Sequence, residues 1–234
     1  MRAPRLRIGV LADGSNPVDL SLELSAVGHM VETVSGAEEI GNCELVVIAV
    51  ADDQLEDSVQ QLAAFSRRGQ MFLHTSLSHG IQVMDPLETS GAIVMAAHPL
   101  GADRWVVAAT DELGETIVGL LVGELGGSTI PLEDARRTQL AAAVTYMGYI
   151  RTLVQDAEIF LDGFIGEAEA TGEIVQGAAD RFVPMPKLDD LMGQYASIED
   201  PGRQRLFRDL SRRQAEISRA QDIELWAIQK EDRG

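Results

Sequence analysis

Between Leu6 and Leu132, short apolar runs recur with stretches of helical length between them, and this alternation leaves few folds open. The runs Leu6–Leu11, Met30–Val34, Glu44–Val50, Gln70–His74, Ala92–Ala97, Trp105–Ala109 and Ser128–Leu132 have the length of strands. Glu44-Leu-Val-Val-Ile-Ala-Val50 is apolar without alternation, as in a strand covered on both faces. The segments between them read as helices: Pro17–Val27, Asp52 or Asp53 to about Arg68, Ile81–Ser90 and Asp111–Leu125. Strands that alternate with helices in this way build a doubly wound, mostly parallel α/β sheet.

From Glu133 the pattern changes to helix only, which predicts a first domain over 1–132 and a helical one over 133–234. Gln139–Ile165 is apolar almost all round, so a long helix buried by other elements is expected there. Its interior charges, Arg151, Asp156, Glu158 and Asp162, argue against a lipid environment. Val183-Pro-Met-Pro186 reads as a turn or linker, Leu188–Ala196 as a short helix and Gly202–Lys230 as a last amphipathic one. The last helix carries Arg205, Arg208, Arg212, Arg213 and Arg219. Asp209, Glu216, Asp222 and Glu224 lie at spacings that balance them as a solvated face.

The first strand leads into Ala12-Asp-Gly-Ser-Asn-Pro17. In a β-α-β unit this turn is where a dinucleotide is held, by a G-x-G-x-x-G pattern whose amides face the pyrophosphate. The three glycine positions are Ala12, Gly14 and Pro17 here. Pro17 suits a first helical position, with Asn16 as N-cap and Asp19 in the first turn, so the helix start is expected to be capped by its own side chains. Asp13 and Asp19 bring carboxylates to the pyrophosphate path. Gly14 still allows close backbone approach. NAD or NADP is therefore the cofactor the turn would take, at Gly14, Ser15, Val50, Ala51 and Asp52, with weak or lost binding expected. At the end of the second strand stand Ser35-Gly36, with Glu38 and Glu39 close behind as alternatives for a ribose.

The net charge of −18 argues against nucleic acid and against an anionic membrane surface. The single cysteine, Cys43, excludes an intramolecular disulfide and a cysteine-based zinc site. No run is long enough for a signal-peptide core or a membrane span, so a cytoplasmic protein is expected.

Ligands of open parallel sheets bind beyond the carboxyl ends of the strands. Val50–Asp53, His74–Gly80 and His98–Gly101 converge there. His74, Ser76 and His98 are the candidate catalytic residues, a histidine serving as general base and Ser76 bonding a carboxylate or hydroxyl. A buried structural histidine at His74, a solvated His79 and a structural turn at His98-Pro99 are the plain alternatives. The three histidines match no specific zinc spacing, and no metal is expected.

With those residues in view, the chain resembles the 6-phosphogluconate dehydrogenase-like superfamily, and within it a family of uncharacterised bacterial Rossmann-like proteins. The resemblance covers about Arg7 to Gly166. It rests on Leu73-His-Thr-Ser76, Ala97-His-Pro-Leu100, Gly126-Gly127 and Leu140-Ala-Ala-Ala-Val144. His98-Pro-Leu-Gly101 is also similar to the H-P-M-x-G element of prephenate dehydrogenases, where the histidine is catalytic. The resemblance implies a Rossmann-like domain, a helical C-terminal domain on one long helix, and NAD(P)-dependent oxidoreductase ancestry. In the related family a histidine precedes the Ala-Ala-Ala-Val run and an asparagine follows it. Leu140 and Gly148 occupy those positions here.

Two functions follow as expectations. One is an NAD(P)-dependent oxidoreductase with a degenerate glycine-rich turn, acting on a small carboxylate or phosphorylated substrate in the strand-end crevice. The other is a non-catalytic Rossmann-like protein that binds another ligand or a protein partner. A homodimer through the helical half is expected in either case.

Overall fold

The computed structural model describes residues 5–16, 18–179 and 186–228. Its strands are β1 Arg7–Ala12, β2 Met30–Thr33, β3 Leu45–Ala49, β4 Met71–His74, β5 Ile93–Gly101, β6 Arg104–Ala109 and β7 Ser128–Pro131. They form one seven-stranded sheet in the order β2-β1-β3-β4-β5-β6-β7. All neighbours run parallel except β5 and β6. The exception has a local cause. Gly101, Ala102 and Asp103 all take positive φ, which closes a tight hairpin in place of a helical crossover.

The continuous apolar strands are explained by burial on both faces. In β3, Val46 and Ile48 join Leu55, Val59 and Phe72 on one side, beneath α2 Leu55–Ala63 and α3 Asp85–Thr89. Leu45 and Val47 join Ile8, Leu24, Met95 and Val118 on the other, beneath α1 Ser21–Ala26 and α4 Glu112–Glu124. Gly9 lets β1 lie against the start of β3, because a Cβ there would sit 2.7 Å from Cys43 Sγ. Asp111 caps α4, its carboxylate accepting from Gly114 N at 2.7 Å.

The helix expected from Pro17 begins later, at Ser21. Asn16 does not cap it. The Asn16 Oδ1 accepts from Val18 N, and Asp19 accepts from Ser21 N, so two short side-chain turns replace the first helical turn. Pro17 itself lies outside the described residues. Leu20, just before α1, takes a left-handed φ of 60° and is buried.

The chain divides into two compact units at Leu153/Val154, inside the long helix α5 Arg137–Ile165. The expectation that other elements wrap α5 is corrected. Tyr146, Met147, Tyr149 and Ile150 are each half exposed or more in the single chain, and only Arg137 is fully buried on this helix. Among the described residues no helix is long and apolar enough to cross a membrane.

The second unit contains α6 Ala168–Ala179, α7 Leu188–Ser197, α8 Pro201–Ser218 and α9 Gln221–Ile228. The single last helix expected over Gly202–Lys230 is two, broken where Arg219 takes a left-handed φ of 60°. Its arginines are largely spent on structure. Arg203 pairs bidentately with Asp156 and lies 4.6 Å above the Phe160 ring. Arg208 donates to the Ala227 and Trp226 carbonyls, and Arg212 and Arg213 both reach Glu216. The expected linker at 183–186 falls, but for Pro186, outside the described residues.

Candidate functional site

The order of the sheet reverses between β1 and β3, since the chain builds β2 on one side of β1 and returns on the other. A parallel sheet opens a crevice at such a point. A cavity of about 230 Å³ lies there, lined by Ala12, Asp13, Ser35, Gly36 and Val50 among others. The ends of β1, β2 and β3 thus bound this cavity. Gly14 has φ +77° and nothing within 4 Å of where a Cβ would stand, so its backbone is open to close approach.

Two amides at this site, one in the turn and one after β3, are already engaged. The Asp13 carboxylate accepts from Ser15 N at 2.9 Å, from Ser15 Oγ at 2.5 Å and from Ala51 N at 2.9 Å. The Ser15 hydroxyl, helped by the two amides, holds the Asp13 carboxyl near pKa 2, so it is ionised at any working pH. An anion would meet this charge in place of free N–H groups.

Thr75 ties the rest of the crevice together. It is fully buried after β4. Its hydroxyl donates to Val18 O at 2.7 Å and receives the Asn16 amide at 3.2 Å, which also reaches Val50 O at 3.3 Å. Its carbonyl lies 2.8 Å from His98 Nδ1. A carbonyl accepts only, so Nδ1 carries the proton, and in the neutral ring Nε2 is left as the basic nitrogen. His98 stands two residues beyond Ala96, which pairs with His74 at the end of β4. Gly14, Val50 and Ser76 therefore lie just beyond the carboxyl ends of β1, β3 and β4, and His98 lies within β5, on the part of that strand that runs past the end of β4.

Next to it is a second constellation that the sequence did not suggest. Ser76 Oγ donates to Asp52 Oδ1 at 2.6 Å and lies 3.2 Å from His79 Nδ1. The helix expected from Asp52 or Asp53 starts as α2 at Leu55, and the Asp52 carboxylate accepts from Ser76. Burial works against its charge, yet bonds from Ser76 and Ser78 and the nearby His79 outweigh it and hold the carboxyl below its ordinary range. His79, read as a solvated loop residue, is thereby part of the network.

His74 lies deeper. It is fully buried, and neither ring nitrogen has a hydrogen bond of ordinary geometry. Burial and the positive Arg137 push its pKa down to about 3, so the ring is neutral in any ordinary buffer. Thr75, His79 and Arg137 were all missed from the sequence. Their signals were only the Leu73-His-Thr-Ser76 run and the change of pattern at Glu133. Among the described residues no group of three His, Cys, Asp or Glu side chains is arranged to hold a metal.

Comparison with known proteins agrees with this architecture. Residues 32–99 match the Rossmann-like domain model, and residues 133–230 match the 6-phosphogluconate dehydrogenase C-terminal domain-like model. No protein of curated function matches the chain. Among solved structures, a Bacteroides fragilis protein provisionally assigned as an NADP oxidoreductase superposes with a TM-score of 0.71 at 14% identity, over 89% of this chain and 97% of its own. A pyrroline-5-carboxylate reductase from Coxiella burnetii gives 0.60 at 12% identity, over 96% and 95%. A 3-hydroxyisobutyrate dehydrogenase from Mycobacterium tuberculosis gives 0.56 at 14%, over 78% and 77%. At these identities the likeness is one of fold.

Proposed function

We propose that this chain, which matches a Rossmann-like domain in its first half and a 6-phosphogluconate dehydrogenase C-terminal domain-like model in its second, is an NAD(P)-dependent oxidoreductase acting on a small carboxylate or phosphorylated substrate. The observation that carries the reading is His98, whose Nδ1 is fixed on the Thr75 carbonyl beside the strand-order reversal. That bond presents Nε2 as a base for a substrate hydroxyl. Ser76 positions the substrate, and His74 lies beneath as a neutral, buried neighbour. Gly14, Ser15, Val50, Ala51 and Asp52 border the cofactor. A bound nicotinamide supplies the hydride acceptor; the chain's own part is to hold the substrate and take the hydroxyl proton at His98. Residues 1–132 form the cofactor half of this proposal and 133–234 the helical half.

The same reading includes weak dinucleotide binding, with Kd above about 100 μM, near −5.5 kcal/mol. Its support is the Asp13 carboxylate, which occupies Ser15 N and Ala51 N. Calorimetric titration with each of the four nicotinamide dinucleotides tests it. Binding should be weak for all four, and a paired Ala12→Gly, Asp13→Ala variant should tighten the best of them. Low-micromolar binding to the unaltered protein would refute the weak-binding part and strengthen the oxidoreductase part. Lack of any binding in both proteins would favour the second reading, a non-catalytic Rossmann-like protein. The specific support for that reading is the same Asp13 arrangement together with Leu140 and Gly148 on α5.

The assembly proposed is a cytoplasmic homodimer through α5. Tyr146, Met147, Tyr149 and Ile150 are 64%, 50%, 55% and 60% exposed, an apolar stripe that a second copy would cover. Sedimentation at micromolar concentration should give a dimer, and a monomer would refute it.

A further inference from the structure

We propose that Arg137 and His74 form the floor of a carboxylate-binding site. Arg137 is 1% exposed, and Nε and both terminal nitrogens have no hydrogen-bond partner among the described residues. The neighbouring His74 is equally enclosed, with the Gly80 backbone within reach but short of ordinary hydrogen-bond geometry. A guanidinium offers five N–H donors and cannot shed its charge. Buried alone, it suffers the full loss of hydration, which proteins ordinarily offset with a paired anion. A buried guanidinium with its donors unspent, set against a neutral imidazole, describes a receptor for an acceptor group.

The placement is built by the chain rather than accidental. Asp134, one turn before Arg137, accepts from Ile81 N at 2.9 Å and from Gln82 N at 3.0 Å. Those bonds fix the entry to α5 against the loop that follows β4. Gly80 makes the approach possible, since a Cβ there would lie 2.0 Å from Asp134 Cγ. Asp134 is also the carboxylate whose charge reaches Arg137, but both its oxygens are committed to backbone amides. On the same loop the side chain of His79 is 37% exposed, so this is the edge of the site nearest solvent.

The charge count selects the ligand. His74 is neutral, so Arg137 supplies a single positive charge. A carboxylate brings one negative charge and two oxygens that match the guanidinium fork. A phosphate dianion would leave one charge uncompensated beside Asp134. This deepens the proposed function by choosing the carboxylate over the phosphorylated substrate, and it rests on that reading only for calling the ligand a substrate. The test reads binding without cofactor, so a failure of dinucleotide binding would leave it intact.

The experiment is thermal unfolding of the full chain in acetate, glycolate, inorganic phosphate and chloride at matched ionic strength. Acetate or glycolate at ten times its Kd should raise Tm by about 4 °C, with phosphate and chloride giving no such shift. The Arg137→Met variant, which removes the buried charge and keeps an apolar stem, should be at least as stable without added anion and should lose the carboxylate response. If that variant does not fold, the wild-type protein still decides the matter, because the imidazole 15N resonances of His74 must move on addition of acetate. No shift with either carboxylate would mean that the pocket holds water only and would overturn the proposal. Stabilisation by phosphate alone, or an undiminished response in folded Arg137→Met, would do the same.

Discussion

His74 makes the acid stability of this protein a direct measure of its interior. The ring is completely enclosed, and burial, with Arg137 adding to it, lowers its pKa from 6.5 to about 3, while the Gly80 backbone and Asp134 pull weakly the other way. The sign follows from proton binding. Between those two values the unfolded chain takes up a proton at this imidazole and the folded chain does not. Stability therefore rises with pH through the window and is lost as pH falls below 6.5. Between pH 7 and pH 5 the loss from this residue is about 2 kcal/mol, and over the whole window it approaches about 5 kcal/mol, an upper limit because local opening would let the ring protonate early. The assay is urea unfolding at pH 7 and pH 5, in buffers free of carboxylates, for the wild-type protein and His74→Gln. The difference between the two proteins cancels every other titrating group. Wild type should lose about 2 kcal/mol more than the variant. Equal pH dependence, or a His74 resonance that titrates near 6.5, would refute the claim that this ring is held neutral.

Two further predictions concern packing and the second unit. Gly9→Ala should destabilise the protein by about 1–3 kcal/mol in urea unfolding, because the new methyl meets Cys43 Sγ at 2.7 Å and Val34 at 3.1 Å with strands on either side. Asp156→Asn should loosen the α5–α8 contact of the second unit by about 1 kcal/mol, since Arg203, which bonds both Asp156 oxygens, holds that carboxyl below its ordinary pKa. The Asp156 contribution is present above the ordinary carboxylate pKa and is lost as pH falls through the lowered folded value, so wild type and variant should converge in acid.

The sheet was legible because burial on both faces leaves a plain signature. Glu44–Val50 has no polar alternation, and β3 sends Val46 and Ile48 to one core and Leu45 and Val47 to the other. The β5–β6 reversal was not drawn from the sequence, although Gly101 and Asp103 are turn formers, because the left-handed φ of Ala102 between them is not announced by its side chain. The start of α1 was misread for a related reason. Asn16 looks like a cap in sequence, but its amide is drawn to Val50 O and Thr75 Oγ1, residues 34 and 59 positions away. Local propensity lost to long-range hydrogen bonds that no window of sequence contains.

The long helix shows how the same residues mislead when the chain is considered alone. An all-round apolar pattern was read as a demand for cover within the chain, and the chain does not supply it for Tyr146–Ile150. The apolar pattern does mark a long helix, and Tyr146–Ile150 on it stay exposed in the single chain. The candidate site divides along the same line. Ser76 and His98 stood out because they are polar residues at the ends of apolar strands, a position where topology alone predicts exposure to a crevice. Arg137 gave no such signal, being one arginine of two at the edge of a helix. Its distinction is created by Asp134 and Gly80, which bring the start of α5 onto the β4 loop and close off the guanidinium beside His74. A charge made exceptional by enclosure becomes visible only when the fold is assembled. For that reason Arg137, rather than a residue picked from a motif, is the position where substitution tells most about the ligand of this protein.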